Sequence, residues 1–103
     1  MSDAEDQLFF QCRACGLPTP QREYRFHPLR RWRADLAFPE FMLLVEVEGG
    51  VWINGRHTSG AGYSKDIEKY NATQMMGYRL LRFTPAMVMS GEATATIQKV
   101  IGG

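Results

Sequence analysis

Apolar and polar residues alternate along several short segments of the chain, which is the pattern of a β-strand with one buried face. The segments predicted as strands are 22–27, 32–38, 41–48 and 78–83. Pro28 ends the first segment, and Pro39-Glu40 separates the second from the third. The pattern therefore predicts three strands in an antiparallel meander, followed later by a fourth.

Helical spacing and capping residues mark the segments between and around these strands. Ser2 and Glu5 form a capping box, in which each side chain bonds a backbone N–H of the first turn. Glycines then mark the helix ends. The predicted helices run from the capping box to Gly16, from Ser64 as N-cap to Gly77, and over 92–101. The stripe that marks the second helix is Tyr63, Ile67, Tyr70 and Gln74.

The order helix, three strands, helix, strand, helix (αβββαβα) predicts an α/β fold, an α+β sandwich with a mixed four-stranded sheet. A right-handed crossover helix would bring the fourth strand back to that sheet. The 103 residues are enough for one hydrophobic core and marginal for two, so we expect 1–103 to form one domain. No apolar run approaches the roughly 20 residues of a membrane span. With an acidic start unlike a signal peptide, these features predict a cytoplasmic protein without a membrane partner.

Three carboxylates are predicted to meet on one face of the sheet. A hairpin turn around Glu40-Phe41 that sets Phe38 opposite Leu43 also sets Asp35 opposite Glu46, and Glu48 shares the face of Glu46. Like charges directly opposite each other are destabilising, so a bound cation is one explanation of the pattern. Magnesium is a natural candidate, because carboxylates and phosphate oxygens are its usual ligands. The alternative is a solvated sheet face on which glutamates are ordinary.

Arginines concentrate in one segment although the formal net charge is only +1. Five fall within twelve residues, together with His27 and a single acid, Glu23. Guanidinium groups suit phosphate backbones because they donate two parallel hydrogen bonds. The alternative is that charge on strand edges prevents aggregation. The candidate nucleic-acid-binding residues are Arg25, Arg30, Arg31 and Arg33, with Trp52 and Arg56 of the glycine-rich segment 49–62.

The acidic residue on the second strand and the Glu-Val-Glu at the end of the third, in this order of elements, resemble the PD-(D/E)XK nuclease superfamily. More narrowly, the chain is similar to the small members near the very-short-patch repair endonucleases and phage or bacterial endonuclease-like proteins. The matching segments are 31–39, 44–50 and 77–83. The resemblance implies a DNA endonuclease dependent on Mg²⁺ or Mn²⁺, with a nicking, repair or recombination role. It also implies metal ligation by Asp35, Glu46 and the Val47 carbonyl.

The chain departs from that family where Glu48 stands in place of the motif lysine. Some members with this pattern still cleave, which implies that Glu48 is a catalytic residue that binds the metal or a water. Lys65 and Lys69, one helical turn apart, are the preferred replacements, and His57 is the third candidate. A solvated lysine or an ordinary loop histidine is the alternative for each. Glu5 is assigned to the helix cap, although acids of the first helix support a second metal in some members of the superfamily.

Two other functions stay open at this point. A domain that kept the nuclease fold and lost catalysis would bind nucleic acid or protein, with Glu48 as the mark of that loss. A structural partner in a larger repair or recombination complex is the other. The oligomeric state is open as well, and a homodimer would provide two sites for cutting both strands.

Overall fold

Four strands form one mixed sheet in the order β1-β2-β3-β4. The computed structural model describes residues 3–48 and 60–102, with side chains from residue 64 onward in the second range. β1, β2 and β3 pair antiparallel, and β4 runs parallel to β3. The strands are β1 (Gln21–Arg25), β2 (Arg33–Phe38), β3 (Leu43–Val47) and β4 (Arg79–Phe83).

The helices are α1 (Asp3–Ala14), α2 (Gly60–Met75), α3 (Pro85–Met89) and α4 (Glu92–Gly102). The predicted order and the mixed four-stranded sheet are confirmed, and α3 is an addition between β4 and α4. At five residues α3 is too short for a hydrophobic period. Its start can nevertheless be recognised in the sequence from Thr84 and Pro85. The Thr84 hydroxyl accepts a hydrogen bond from the Met87 N–H at 3.2 Å, and Pro85 takes the first helical position.

Both predicted glycine stops end their helices as expected. Gly16 and Gly77 have φ of 78° and 87°, which glycine adopts without a Cβ clash. The next residue in each case donates back to the last turn, Leu17 N–H to the Cys12 carbonyl at 3.1 Å and Tyr78 N–H to the Thr73 carbonyl at 3.0 Å. These bonds satisfy carbonyls that the helix end would otherwise leave unpaired.

Some predicted boundaries were wrong. The third strand begins at Leu43 because Pro39–Phe41 form a 3₁₀ turn and Met42 takes a left-handed φ of 51°. α2 begins at Gly60, before the predicted cap at Ser64, so the last part of the predicted loop is helical. Its glycines masked the helix start in the sequence. Ser2 of the predicted capping box lies outside the described residues.

Helices cover both faces of the sheet. On one face, α1, α3 and α4 enclose a core of ten buried residues, which are Leu8, Cys12, Leu36, Phe38, Leu43, Val45, Phe83, Val88, Ala93 and Ile97. On the other face, a smaller cluster centred on Phe26, Ala34, Ala37 and Leu44 packs against Met76, next to the end of α2, and against Leu80. Within the described residues, no helix combines the length and apolarity needed to cross a membrane.

Candidate active site

Three carboxylates from three elements converge at one end of the sheet. One oxygen from each of Glu5 on α1, Glu23 on β1 and Asp35 on β2 lies within 4.8 Å of the other two. Glu23 is the single acid of the arginine-rich segment, and Glu5 belongs to the predicted helix cap. The sequence pattern alone therefore did not unite them.

A local departure from strand alternation positions this carboxylate cluster (Glu5, Glu23 and Asp35). Residues two apart on a strand normally share a face. Arg22, however, bonds Asp6 and lies over the Phe9 ring on α1, whereas Tyr24 packs in the cluster on the opposite face. Between them Glu23 has a left-handed φ of 50°, which costs a non-glycine residue about 1–3 kcal/mol.

β2 shows the same switch of faces opposite Glu23. Leu36 lies in the main core and Ala34 in the smaller cluster, and the residue between them is Asp35. The β1–β2 register pairs Arg22 with Leu36 and Tyr24 with Ala34, which sets Glu23 opposite Asp35. Strain like that at Glu23 is typical of functional sites, and the switch of faces brings Glu23 and Asp35 close to Glu5 of α1.

Burial and the neighbouring acids disfavour ionisation of two members of the carboxylate cluster, Asp35 and Glu5. Burial raises the pKa of Asp35, and the nearby charges of Glu23 and Glu48 raise it further, against the opposing effect of the Val47 N–H that donates to its Oδ2 at 2.8 Å. Burial also raises the pKa of Glu5, followed by the charges of Asp35 and Glu23. Clustered oxygen ligands that repel one another when ionised fit a hard divalent cation such as Mg²⁺.

A second set of charged side chains lies beside the first, at the end of β3. Nζ of Lys69 lies 2.7 Å from Oε2 of Glu46, and Nε of Arg82 donates to Oε2 of Glu48 at 3.0 Å. Burial raises the pKa of Glu46, and the hydrogen bond and charge of Lys69 oppose that rise. The Glu48 partner raises the pKa of Arg82, so this guanidinium stays charged. Both glutamates of the Glu-Val-Glu motif therefore have a basic partner.

α2 presents a largely polar face to this end of the sheet, and of the stripe that marked the helix in the sequence Tyr70 lines the cleft there, whereas Ile67 does not. Ile67 and Tyr70 are each 43% exposed, whereas Thr73 is 1% exposed. A cleft of about 70 Å³ separates this face from β3 and β4. Its charged lining residues are Glu46, Glu48, Asp66, Lys69 and Arg82. Five charged side chains that line one small cleft mark it as a candidate site.

The structure brings together some of the sequence-predicted catalytic residues and separates others. Phe38 pairs with Leu43 as predicted, and the same register places Asp35 opposite Glu46. Lys69 contacts Glu46, whereas Lys65, one turn earlier on α2, is exposed. The Val47 backbone contacts Asp35 through its N–H. The assignment of Asp35, Glu46 and Val47 as ligands stays a prediction.

The predicted nucleic-acid-binding arginines lie on and beside β1 and β2. Arg25 and Arg31 are exposed, and Arg33 lies 3.8 Å from Glu23. Arg30 lies 3.0 Å from Glu68 of α2, with its guanidinium carbon 4.0 Å above the Trp32 ring. His57, Trp52 and Arg56 lie outside the described residues.

Sequence reasoning missed Glu23 and Arg82, and it assigned Glu5 to the helix cap with support of a second metal as the alternative. The Arg82 signal was present, because a charge at every third residue of an apolar strand is unusual in a covered sheet. Glu23 carried no comparable signal, since its role follows from a backbone conformation that glutamate seldom adopts.

Comparison with solved structures shows that nearly the whole chain resembles another protein domain in its fold. The catalytic domain of the homing endonuclease I-Bth0305I superposes with a TM-score of 0.69 at 18% identity, covering 97% of this chain and 94% of that domain. No protein-family model and no curated protein matches the chain. At this identity the likeness shows that the chain shares the fold of a nuclease catalytic domain.

Proposed function

We propose that the chain is a metal-dependent endonuclease that hydrolyses phosphodiester bonds of DNA, with 1–103 as its nuclease domain. The observation that carries the proposal is the carboxylate cluster of Glu5, Glu23 and Asp35 beside the Lys69–Glu46 pair. The shared fold with a homing endonuclease catalytic domain supports it. Acids with raised pKa values next to a fixed cation are typical of catalytic sites.

The carboxylate cluster fits a divalent cation, Mg²⁺ or Mn²⁺, by the chemistry of its donors. Glu5, Glu23 and Asp35 offer three oxygen ligands from three rigid elements. The alternative ligand set is Asp35, Glu46 and the Val47 carbonyl, which shares one residue with the first. When bound, the cation would supply a hydroxide from bound water and neutralise charge on the scissile phosphate.

Lys69 would provide the positive charge that the missing motif lysine provides in the resembled superfamily. It reaches the glutamate of β3 from α2, and its side chain is 25% exposed. A partly desolvated ammonium held by Glu46 is a preorganised charge for a phosphate oxygen. Glu48 holds Arg82 in the same cleft, and this guanidinium would be a second cation near the substrate.

The exposed arginines at the same end of the sheet would bind the DNA backbone. β1 ends and β2 begins there, and Arg25 pairs with Arg33 across the two strands. Backbone phosphates are the ligands that guanidinium groups recognise without sequence preference. We therefore assign Arg25, Arg30, Arg31 and Arg33 to phosphate contacts.

A second candidate function is nucleic-acid or protein binding without catalysis. It is favoured by the two ion pairs at Glu46 and Glu48, which neutralise these acids without any metal. The test is a plasmid-nicking assay with Mg²⁺ or Mn²⁺, together with calorimetric metal titration. Metal-dependent nicking that Asp35→Asn abolishes supports the nuclease. DNA binding with neither nicking nor metal binding supports the second function.

A further inference from the structure

The turn between β1 and β2 exposes a large apolar side chain among basic residues. Leu29 is 85% exposed, and Arg30 and Arg31 follow it directly. Single exposed leucines are common on protein surfaces and need no function. This leucine differs because the turn that carries it is held in one conformation and has a basic surface.

The His27 imidazole organises the turn from within. Its Nδ1 accepts the backbone N–H of Leu29 at 3.1 Å and that of Arg30 at 3.0 Å. Two bonds to one nitrogen fix the direction in which the chain presents Leu29. In this arrangement Nδ1 is an acceptor, so a neutral imidazole carries its proton on Nε2.

Aromatic and ionic contacts fasten the turn to the rest of the molecule. The Trp32 ring stacks on the buried Phe26 ring at a centroid distance of 6.3 Å and receives the Arg30 guanidinium 4.0 Å above its face. Glu68 on α2 lies 3.0 Å from the same guanidinium. The turn is therefore supported from the sheet and from α2.

The turn lies at the end of the sheet that holds the carboxylates. Arg33, the first residue of β2, forms an ion pair with Glu23, and Asp35 follows two residues later on the same strand. A ligand bound by Arg30 and Arg31 would thus extend toward the proposed catalytic residues. A polyanion is the partner that matches this charge.

We propose that the β1–β2 turn is a wedge that inserts Leu29 between base pairs of duplex DNA from the minor groove, while Arg30 and Arg31 hold the flanking phosphates. The proposal rests on the proposed function and specifies its substrate as duplex DNA with an easily opened base step, such as TA. Leucine is one of the residues that minor-groove proteins insert between steps. Pyrimidine–purine steps unstack at the least cost, so they are favoured.

The test measures binding to a short duplex that carries 2-aminopurine beside a central TA step, in EDTA so that cleavage does not interfere. Binding of the parent should raise the 2-aminopurine fluorescence, because unstacking relieves its quenching. Leu29→Ala should remove that rise and weaken binding by about tenfold. Its salt dependence should stay unchanged, because no charge is lost.

Met75→Ala is the matched control, since Met75 is 87% exposed and lies at the far end of α2. It should bind and unstack the duplex like the parent. His27 is a positioning residue in this scheme, so His27→Ala should reduce the fluorescence rise. His27→Asn should restore it, because the Asn Oδ1 can accept the same two N–H groups.

Fluorescence and nicking, measured on the same variants, distinguish failure of the wedge from failure of the nuclease. If the parent nicks DNA but Leu29→Ala matches it in fluorescence and affinity, the wedge is overturned and the nuclease stands. That result would equally follow if the turn bound a protein partner. If the parent neither binds nor nicks DNA, both proposals fall together.

Discussion

Lys69 on α2 and Glu46 on β3 form an ion pair with an Nζ–Oε2 distance of 2.7 Å, although 23 positions separate them in the chain. Both side chains are largely withdrawn from solvent, with 25% and 20% exposure. Their contact depends on α2 crossing back over the sheet between two parallel strands. The Lys69 ammonium is thereby fixed beside Glu46. In the resembled superfamily, the matching acid is followed two residues later on the same strand by a lysine.

Lys69→Met should lower nicking activity across the whole pH range, because the ammonium acts as a fixed charge and not as an acid or base. It should also lower the free energy of unfolding by about 1–3 kcal/mol, since Glu46 loses its partner. Lys65→Met is the matched control and should change neither quantity. Nicking assays and urea unfolding measure the two effects. Equal behaviour of both variants would remove Lys69 from the site.

His57→Ala separates base catalysis from charge stabilisation. If His57 moves the proton, its loss should remove the limb of the pH–rate profile near its ordinary pKa of about 6.5. We expect His57→Ala to keep the pH–rate profile of the parent, with Lys69 as the more important cation. Turnover measured from mildly acidic to mildly alkaline pH at saturating metal distinguishes the two roles.

Asp35→Asn should abolish the proposed metal-dependent nicking and the rise in melting temperature that we expect Mg²⁺ to cause. Without metal the variant should be as stable as the parent or slightly more stable, because a repelling charge is gone while the amide oxygen can still accept the Val47 N–H. Thermal melts with Mg²⁺ and with EDTA make the comparison. Glu40→Gln, at an exposed carboxylate of the 3₁₀ turn, should behave like the parent.

Glu23→Gln and Glu46→Gln distinguish the two candidate ligand sets. If Glu5, Glu23 and Asp35 hold the cation, Glu23→Gln should weaken metal binding and Glu46→Gln should leave it nearly unchanged. The reverse order would assign the cation to Asp35, Glu46 and Val47. Calorimetric titration with Mn²⁺ reads this directly and does not require cleavage.

Lowering the pH from neutral should increase the stabilising contribution of Glu5, Asp35 and Glu46. Burial raises the pKa of each in the folded protein. A raised folded pKa contributes stability that is full below the unfolded value and is lost as pH rises through the folded value. The urea midpoint, measured in EDTA, should therefore rise as the pH falls. The double variant Asp35→Asn/Glu5→Gln should show a smaller rise. Stabilisation by Mg²⁺ should fade in the same window, because protons compete for the ligands.

Arg31→Ala should weaken DNA binding about equally for all sequences and reduce the slope of log affinity against log salt by about 1. Arg30→Ala should act similarly and also loosen the β1–β2 turn. Lys99→Ala, on the last turn of α4, is the control and should leave the slope unchanged. Anisotropy titrations over a range of salt concentrations measure these slopes, and an unchanged Arg31→Ala slope would exclude that residue from the interface.

Local chemistry determined the elements of the fold. Gly16 and Gly77 end helices because only a residue without Cβ adopts a positive φ at low cost, and that property is visible in the sequence. Pro39 and the apolar runs on either side of it fixed the β2–β3 register, with Phe38 opposite Leu43. Asp35 and Glu46 could therefore be predicted as neighbours.

Tertiary structure decided which charges meet. Glu5, Glu23 and Asp35 converge because Glu23 adopts a left-handed conformation at the point where β1 and β2 switch faces, and no residue type announces that conformation. The rotation of α2 was equally hidden, since its marked stripe favoured Ile67 as an inward residue, whereas Lys69 and Thr73 line the cleft together with Tyr70. The spacing of apolar residues along the chain predicts only which apolar side chains are buried. A charged cleft is instead stabilised by partners that lie far away in the sequence.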